Sequence, residues 1–113
     1  MPFIVYYLDD EPELCENLAD ILSSTEVIVE TFQDVASLLS SCEKLKPDLL
    51  FLDYRLPGTT GDEVAQKLDP TIPKVLITGD IQLQTTYQFI ECLEKPAQDK
   101  ELFALIAQVK KMD

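Results

Sequence analysis

The stretch FIVYYLDDEP, residues 3–12, joins six apolar or aromatic residues to three consecutive acids and a proline. The apolar run is too short for a helix and rich in β-branched and aromatic residues, so it predicts a buried strand over residues 3–8. Pro12 suits the first turn of a helix, and leucines and isoleucine at helical spacing follow it, which predicts a helix near 12–23. The acids therefore lie where a strand passes into a helix.

The same alternation of apolar runs and helical patterns continues along the chain. Further strands are predicted at 27–32, 49–53, 74–78 and 91–94. A second helix is predicted between the N-cap Asp34 and Pro47, and a third from about Asp62 to Leu68. A short or irregular helix is predicted over 81–90, and a last helix over about 98–111. Residues 54–61 contain a proline and two glycines and are predicted to form a loop.

Five strands alternating with about five helices indicate a single α/β domain over residues 1–113, built on a parallel sheet. Right-handed crossovers reduce the possible arrangements to a doubly wound sheet, and the flavodoxin-like strand order 2-1-3-4-5 suits this length. In that order the ligand crevice lies at the carboxyl ends of strands 1 and 3. Asp9 and Asp10 follow strand 1, and Asp53 ends strand 3, so the acids and the crevice are expected at one place.

The composition restricts the functions open to the chain. A net charge of −12 lacks the basic footprint of nucleic-acid binding, so no direct nucleic-acid contact is expected. No apolar stretch is long enough for a membrane span and no signal peptide is visible, which predicts a cytoplasmic location without membrane contact. The three cysteines fit neither a disulfide framework nor a zinc pattern and are expected to be reduced and mostly buried. Without histidine, any bound metal should be a hard ion held by oxygen.

Carboxylates clustered on strand tips repel one another and need a cation to coexist, so this edge of the sheet is a candidate Mg²⁺ site. A carboxylate beside such an ion can act as a nucleophile and become an aspartyl phosphate. Lys95, after strand 5, could hold phosphate oxygens, and Thr78, at the end of strand 4, could donate a hydrogen bond. Taken singly, each aspartate could instead be a turn former or helix cap, and Lys95 a surface lysine.

Four segments, each at the end of a predicted strand, resemble one known family. They are YLDDEP at 7–12, FLDYRLPGTTGDEV at 51–64, VLITGD at 75–80 and LEKP at 93–96. In this order and spacing, from residue 3 to about 110, the chain resembles the receiver domain of two-component response regulators. Any one segment is a weak signal, and the four together are a strong one.

The resemblance implies roles for the matching acids. Asp53 takes the position of the phosphoaccepting aspartate. Asp9 and Asp10 take those of the metal-binding acid pair, with Asp10 expected as the direct ligand and Asp9 expected to act through water. Arg55 falls where the family uses a backbone carbonyl as a metal ligand. Beside the reaction centre, Arg55 and Asp80 are predicted to pair and to obstruct the attacking water.

Thr78 matches the conformational-switch hydroxyl of the family, and Lys95 matches its phosphate-contacting lysine, which precedes a commonly cis peptide bond. Two departures concern the output region. Cys92 stands where the family usually carries a moving aromatic residue, and the stretch from Thr78 to Lys95 is shorter than usual by about a helical turn or more. The switch is therefore expected to be atypical, with an order–disorder change in residues 80–91.

The function implied by the resemblance is a phosphorylation-dependent signalling switch. A histidine kinase or phosphotransfer protein would donate a phosphoryl group to Asp53 with the help of Mg²⁺, and hydrolysis would reset the switch. The domain would assist its own phosphorylation and dephosphorylation without being a turnover enzyme, and would signal to a downstream protein. Because the sequence ends soon after the last helix, we expect no output domain within it. The chain would then be either a stand-alone regulator that works through protein contacts or a receiver cut from a longer protein.

Two other classes of function remain open from the sequence. One is a constitutive protein-interaction module whose acidic site is vestigial. The other is an Asp-nucleophile phosphohydrolase, although such enzymes usually place a second acid two residues after the nucleophile, and Arg55 occupies that position here.

Overall fold

A parallel five-stranded sheet lies at the centre of the computed structural model, which describes residues 2–80 and 84–112. The strands of the chain are β1 (Phe3–Leu8), β2 (Val27–Phe32), β3 (Leu49–Asp53), β4 (Arg55–Leu56), β5 (Thr59–Thr60), β6 (Lys74–Thr78) and β7 (Glu91–Glu94). The helices are α1 (Pro12–Leu22), α2 (Val35–Lys44), α3 (Gly61–Gln66) and α4 (Asp99–Lys111). The main sheet has the order β2-β1-β3-β6-β7, which confirms the predicted flavodoxin-like arrangement.

Each face of the sheet has its own apolar core, because successive strand residues point to opposite faces. In β1, Val5 and Tyr7 pack with residues of α1 and α4, whereas Tyr6 and Leu8 pack with residues of α2 and α3. The strands are thus buried on both sides, as is usual in parallel sheets. This layering leaves the carboxyl ends of the strands as the edge at which polar side chains can collect.

The helix starts follow the local signals in the sequence. Pro12 occupies the first turn of α1. The predicted N-cap of α2 is confirmed, since the Asp34 side chain accepts a hydrogen bond of 2.8 Å from the Ser37 amide. The third helix is slightly shorter than predicted and ends at Gln66.

The predicted loop over 54–61 is wrong for five of its residues: four form a small hairpin, and Gly61 begins α3. β4 and β5 pair antiparallel, with Leu56 opposite Thr59. Pro57 and Gly58 form the turn, and Gly58 has a φ of +75°, a conformation that glycine adopts without steric cost. Two-residue strands are too short to show alternation in the sequence, so the sequence pattern does not predict this pairing.

The predicted helix over 81–90 is wrong for residues 84–90, which contain no helix, while residues 81–83 lie outside the described part of the chain. Residues 84–90 follow an irregular path instead, which is held by contacts to α3 and β6. One of these contacts is a hydrogen bond of 2.9 Å from the Ile90 amide to the Lys74 carbonyl.

The three cysteines are free, but the prediction that they are mostly buried is wrong, since only one of them is buried. Cys15 is buried, Cys42 is half-buried and Cys92 is exposed, because Cys92 lies on the edge strand β7. Among residues 2–80 and 84–112, no helix has the length and apolar character needed to cross a membrane.

Candidate functional site

Three carboxylates converge at the carboxyl edge of the sheet. β1 and β3 are neighbours in register, with Leu8 opposite Leu52, so the residues that follow these positions lie side by side. Asp9, Asp10 and Asp53 each present a carboxylate oxygen within 4.8 Å of the others. Asp9 and Asp53 are buried and Asp10 is exposed. The structure therefore brings together the three acids that the sequence pattern predicts at this edge.

Lys95 is the cation that contacts two of these acids. Its Nζ lies 3.0 Å from Asp9 Oδ2 and 3.2 Å from Asp53 Oδ1. Its backbone amide donates to the Thr78 carbonyl at 2.8 Å, and the Lys95–Pro96 peptide bond is cis, as the family resemblance implies. Burial acts to lower the pKa of Lys95, but the hydrogen bond to Asp9 and the charges of both carboxylates outweigh it and raise that pKa. Lys95 is therefore held charged between the two acids.

Asp9 is fully buried, and both of its oxygens accept hydrogen bonds. The Glu11 amide donates to Oδ1 at 3.0 Å, and the Tyr7 hydroxyl donates to Oδ2 at 2.5 Å. Oδ2 is the same oxygen that Lys95 contacts. The sequence pattern predicts only core packing for Tyr7 and misses its role as a donor to the acid cluster. Burial, followed by the hydrogen bond to Asp9, raises the pKa of Tyr7 strongly, so its phenol stays protonated.

Asp53 ends β3 in a closely packed backbone environment. Burial and then the charge of Asp9 raise its pKa, while Lys95 acts in the opposite direction. Gly61 allows the chain to pass beside it, because a Cβ at position 61 would lie 2.6 Å from the Asp53 carbonyl oxygen. The Gly61 amide donates to the Tyr54 carbonyl at 2.7 Å. The glycine thus fixes the backbone around the central aspartate.

Thr78, Arg55 and Asp80 lie around this centre. Thr78 is buried, and its hydroxyl oxygen accepts a hydrogen bond of 3.1 Å from the Asp80 amide. The predicted pairing of Arg55 and Asp80 is present, with Nη2 3.6 Å from Oδ2, and the Arg55 side chain is 74% exposed. The Arg55 carbonyl remains a predicted metal ligand.

A second group of polar contacts, not expected from the sequence, anchors residues 84–90. The buried Asp62 accepts hydrogen bonds at Oδ2 from both the amide and the hydroxyl of Thr86. The buried Lys74 ammonium donates to the Tyr87 hydroxyl at 2.9 Å and to two backbone carbonyls. Two charged groups of the folded core thus hold the segment that leads into β7.

The donor set suits a hard divalent cation. In the part of the chain that the structure describes, the cluster of potential metal ligands consists of three carboxylates, and carboxylate oxygens are ligands preferred by Mg²⁺. The three carboxylates carry three formal negative charges, and Lys95, which contacts two of them, balances one, so two remain. Two uncompensated charges match one divalent ion. Asp10 is the most accessible ligand, because it is the exposed member of the three.

Comparison with known proteins agrees with this geometry. The family model of the response regulator receiver domain matches residues 5–107. The chain belongs to this family. Receiver domains are signalling domains of two-component systems, and this receiver keeps an acidic residue at each of the three positions that the family resemblance indicates.

Alignments with relatives of known sequence take in a larger share of this chain than of the relatives. It is 30% identical over 109 residues to the DNA-binding response regulator MtrA of Mycolicibacterium smegmatis, an alignment that takes in 90% of this chain and 48% of the relative. A response regulatory protein of Vibrio vulnificus is 41% identical over 73 residues, which are 61% of this chain and 30% of that protein. The chain thus spans about half the length, or less, of these relatives.

Solved structures support the fold. The signal receiver domain of an HD domain-containing protein from Pseudomonas fluorescens superposes with a TM-score of 0.89 at 20% identity, covering 99% of this chain and 97% of that one. A CheY-like receiver domain protein from Methanospirillum hungatei superposes with a TM-score of 0.86 at 22% identity, covering all of both chains.

Proposed function

We propose that residues 1–113 form a single receiver domain that works as a phosphorylation-dependent switch, with Asp53 as the phosphoacceptor. The observation that carries the proposal is the position of Lys95, 3.2 Å from Asp53 Oδ1, at the edge of a cluster of three acids. A buried carboxylate with a neighbouring ammonium and unbalanced negative charge is suited to bind a metal ion and then a phosphoryl group.

Asp10 and Asp53 would hold Mg²⁺ directly, Asp9 would do so through water, and the Arg55 backbone carbonyl would complete the protein ligands. When bound, the ion offsets the negative charge that a phosphoryl donor brings to the acids. Asp9 has the least capacity for direct coordination, because Tyr7, Glu11 and Lys95 already donate to its two oxygens.

The transfer step is a substitution at phosphorus. A carboxylate oxygen of Asp53 attacks the phosphorus atom, the bond from phosphorus to the imidazole nitrogen of a phosphohistidine breaks, and that nitrogen keeps the electron pair and takes up a proton. Lys95 contacts the phosphoryl oxygens, and the Thr78 hydroxyl donates to one of them. Water later attacks the phosphorus and releases inorganic phosphate, which restores the Asp53 carboxylate.

The partners in this proposal are a histidine kinase or phosphotransfer protein as donor and a protein as downstream target. The MtrA relative is described as DNA-binding, and it extends well beyond the region that this chain matches. The net charge of −12 of this chain favours protein contacts over direct contact with nucleic acid.

Intact mass measurement tests the proposal. The protein is incubated with Mg²⁺ and a small phosphodonor, beside Asp53→Asn and the matched control Asp34→Asn, an exposed N-cap that asparagine also fills. We expect one phosphoryl group on the wild type and on Asp34→Asn, and none on Asp53→Asn. No addition to the wild type would favour a constitutive interaction module, and multiple turnover of phosphate esters would favour a phosphohydrolase.

A further inference from the structure

Tyr7 makes the shortest polar contact within the acid cluster, although it lies in the strand rather than at its tip. Its hydroxyl donates to Asp9 Oδ2 at 2.5 Å, and both residues are almost fully buried. The same oxygen accepts from Lys95 at 3.0 Å, and Lys95 reaches Asp53 at 3.2 Å. A short chain of contacts therefore runs from the core phenol through Asp9 and Lys95 to Asp53.

Lys95 contacts two carboxylates, so Asp9 depends on the Tyr7 hydroxyl whenever Lys95 moves towards Asp53. When Lys95 turns towards a phosphoryl group on Asp53, Asp9 loses a contact with its neighbouring cation while remaining buried. Asp9 then keeps two neutral donors, the Tyr7 hydroxyl and the Glu11 amide. An ionised carboxylate in a buried site depends on such donors, because it has no access to bulk water.

We propose that Tyr7 is a positioning residue that holds the Asp9 carboxylate in place and partly compensates its charge, so that Lys95 is free to serve Asp53. The inference rests on the proposed function and goes beyond it by assigning a role to a core tyrosine. Tyr7 also limits direct metal coordination by Asp9, since its hydrogen bond and that of Lys95 both use Oδ2.

Tyr7→Phe should separate metal binding from phosphorylation. Without the phenol, the Asp9 charge is less compensated, so Mg²⁺ should bind more tightly, by roughly fivefold, the effect of losing one net hydrogen bond. Lys95 should be drawn to Asp9 and away from Asp53, so the phosphorylation rate at saturating Mg²⁺ should fall severalfold. A residue that only filled the core would not tighten metal binding when altered.

Tyr6→Phe is a matched control from the adjacent position. Tyr6 is equally buried, but its hydroxyl donates to the Leu45 carbonyl at 3.1 Å on the other face of the sheet. Calorimetric titration with Mg²⁺ and the rate of labelling by a small phosphodonor are measured for the wild type and both variants. We expect Tyr6→Phe to match the wild type in both. Equal behaviour of the two variants, or weaker Mg²⁺ binding by Tyr7→Phe, would overturn the inference.

Two further outcomes are distinguishable. A wild type that binds no Mg²⁺ overturns the proposed function together with this inference, and this is seen before any variant is compared. If Tyr7→Phe does not fold, the wild type labelled with ¹³C at the tyrosine Cζ decides the question. Saturation with Mg²⁺ should then shift the Tyr7 signal and leave the Tyr6 signal in place, and an unmoved Tyr7 signal would refute the role.

Discussion

The Lys95 ammonium lies 3.2 Å from the Asp53 carboxylate although 42 positions separate these residues in the sequence (95 minus 53). The contact exists because β3 and β7 both end at this edge of the sheet, with β6 between them. Lys95 also contacts Asp9, so one side chain from the last strand balances acids from the first and third strands. The site is therefore a product of the doubly wound topology, and its electrostatics depend on a single lysine.

Replacing Lys95 by methionine should destabilise the protein when no metal is present. The variant keeps the apolar stem but leaves Asp9 and Asp53 without their cation, and breaking a buried ion pair in this way costs about 3 kcal/mol. Added Mg²⁺ should restore more stability to this variant than to the wild type, because the ion replaces the missing positive charge. Urea unfolding with and without Mg²⁺ measures both effects, and Lys67→Met, at an exposed lysine, is the control. An equal response to Mg²⁺ in all three proteins would contradict the prediction.

The raised pKa of Asp53 predicts a pH-dependent effect of Asp53→Asn. Burial, followed by the Asp9 charge, places the folded-state pKa above the ordinary value of 3.8. Ionised Asp53 therefore weakens folding, and stability falls as the pH rises through the interval between the unfolded and folded pKa values. Without metal, Asp53→Asn should exceed the wild type in free energy of unfolding at pH 7, and the difference should shrink as the pH falls towards 3.8. A pH series of urea unfolding curves checks this, and a variant less stable than the wild type at pH 7 would refute it.

The strand order and the acid cluster can be predicted from the sequence because both depend on local patterns. Strands buried on both faces form continuous apolar runs, and the polar residues that end them lie together wherever neighbouring strands are parallel. Asp9 and Asp53 each end such a run, so the order of the strands is enough to bring them to one edge of the sheet.

Contacts between residues distant in the sequence cannot be predicted in the same way. Tyr7 has the pattern of a core residue, and only the strand geometry shows that its hydroxyl reaches Asp9. Asp62 has the pattern of a first-turn acid, and only the fold brings Thr86 to it. The sequence of residues 81–90 fits the alternation of a strand almost as well as the period of a helix. The path of residues 84–90 is therefore determined by these long-range contacts.

The exposed pair Arg55–Asp80 should affect the lifetime of the phosphoryl group more than metal affinity. In the proposed function the pair lies beside the phosphorylation site, where it would obstruct an attacking water. Its 3.6 Å separation and exposure mean that it adds less than about 1 kcal/mol to stability. Arg55→Ala and Asp80→Ala should each shorten the lifetime severalfold with little change in the Kd for Mg²⁺. The decay of phosphorylated protein after removal of the phosphodonor measures the lifetime. A double variant with the wild-type hydrolysis rate would exclude this role.

Gly61 should be essential for the geometry of Asp53, and Gly58 provides the comparison. A Cβ at position 61 would lie 2.6 Å from the Asp53 carbonyl oxygen, so Gly61→Ala must displace the backbone of this proposed phosphoacceptor. At Gly58 the space is open and the cost is conformational, about 1–2 kcal/mol for a left-handed residue. Both variants should lose stability in thermal unfolding, but only Gly61→Ala should also lose phosphorylation under conditions where it remains folded. Equal phosphorylation of the two folded variants would contradict the prediction.

The contact between the buried Asp62 and the exposed Thr86 should control the order of residues 84–90. Asp62 accepts from the amide and the hydroxyl of Thr86, and a hydrogen bond to a charged group contributes about 1.5–3 kcal/mol. Asp62→Ala should therefore raise hydrogen exchange in this segment by roughly tenfold or more, while the exchange of β1 and β3 changes much less. Gln88→Ala, at an exposed position of the same segment, is the control.

If phosphorylation changes the order of residues 84–90, a phosphoryl mimic should alter their hydrogen exchange in the wild type. In Asp62→Ala, these residues should exchange rapidly with or without the mimic. Equal protection of the segment in the wild type with and without the mimic would exclude it as the switch.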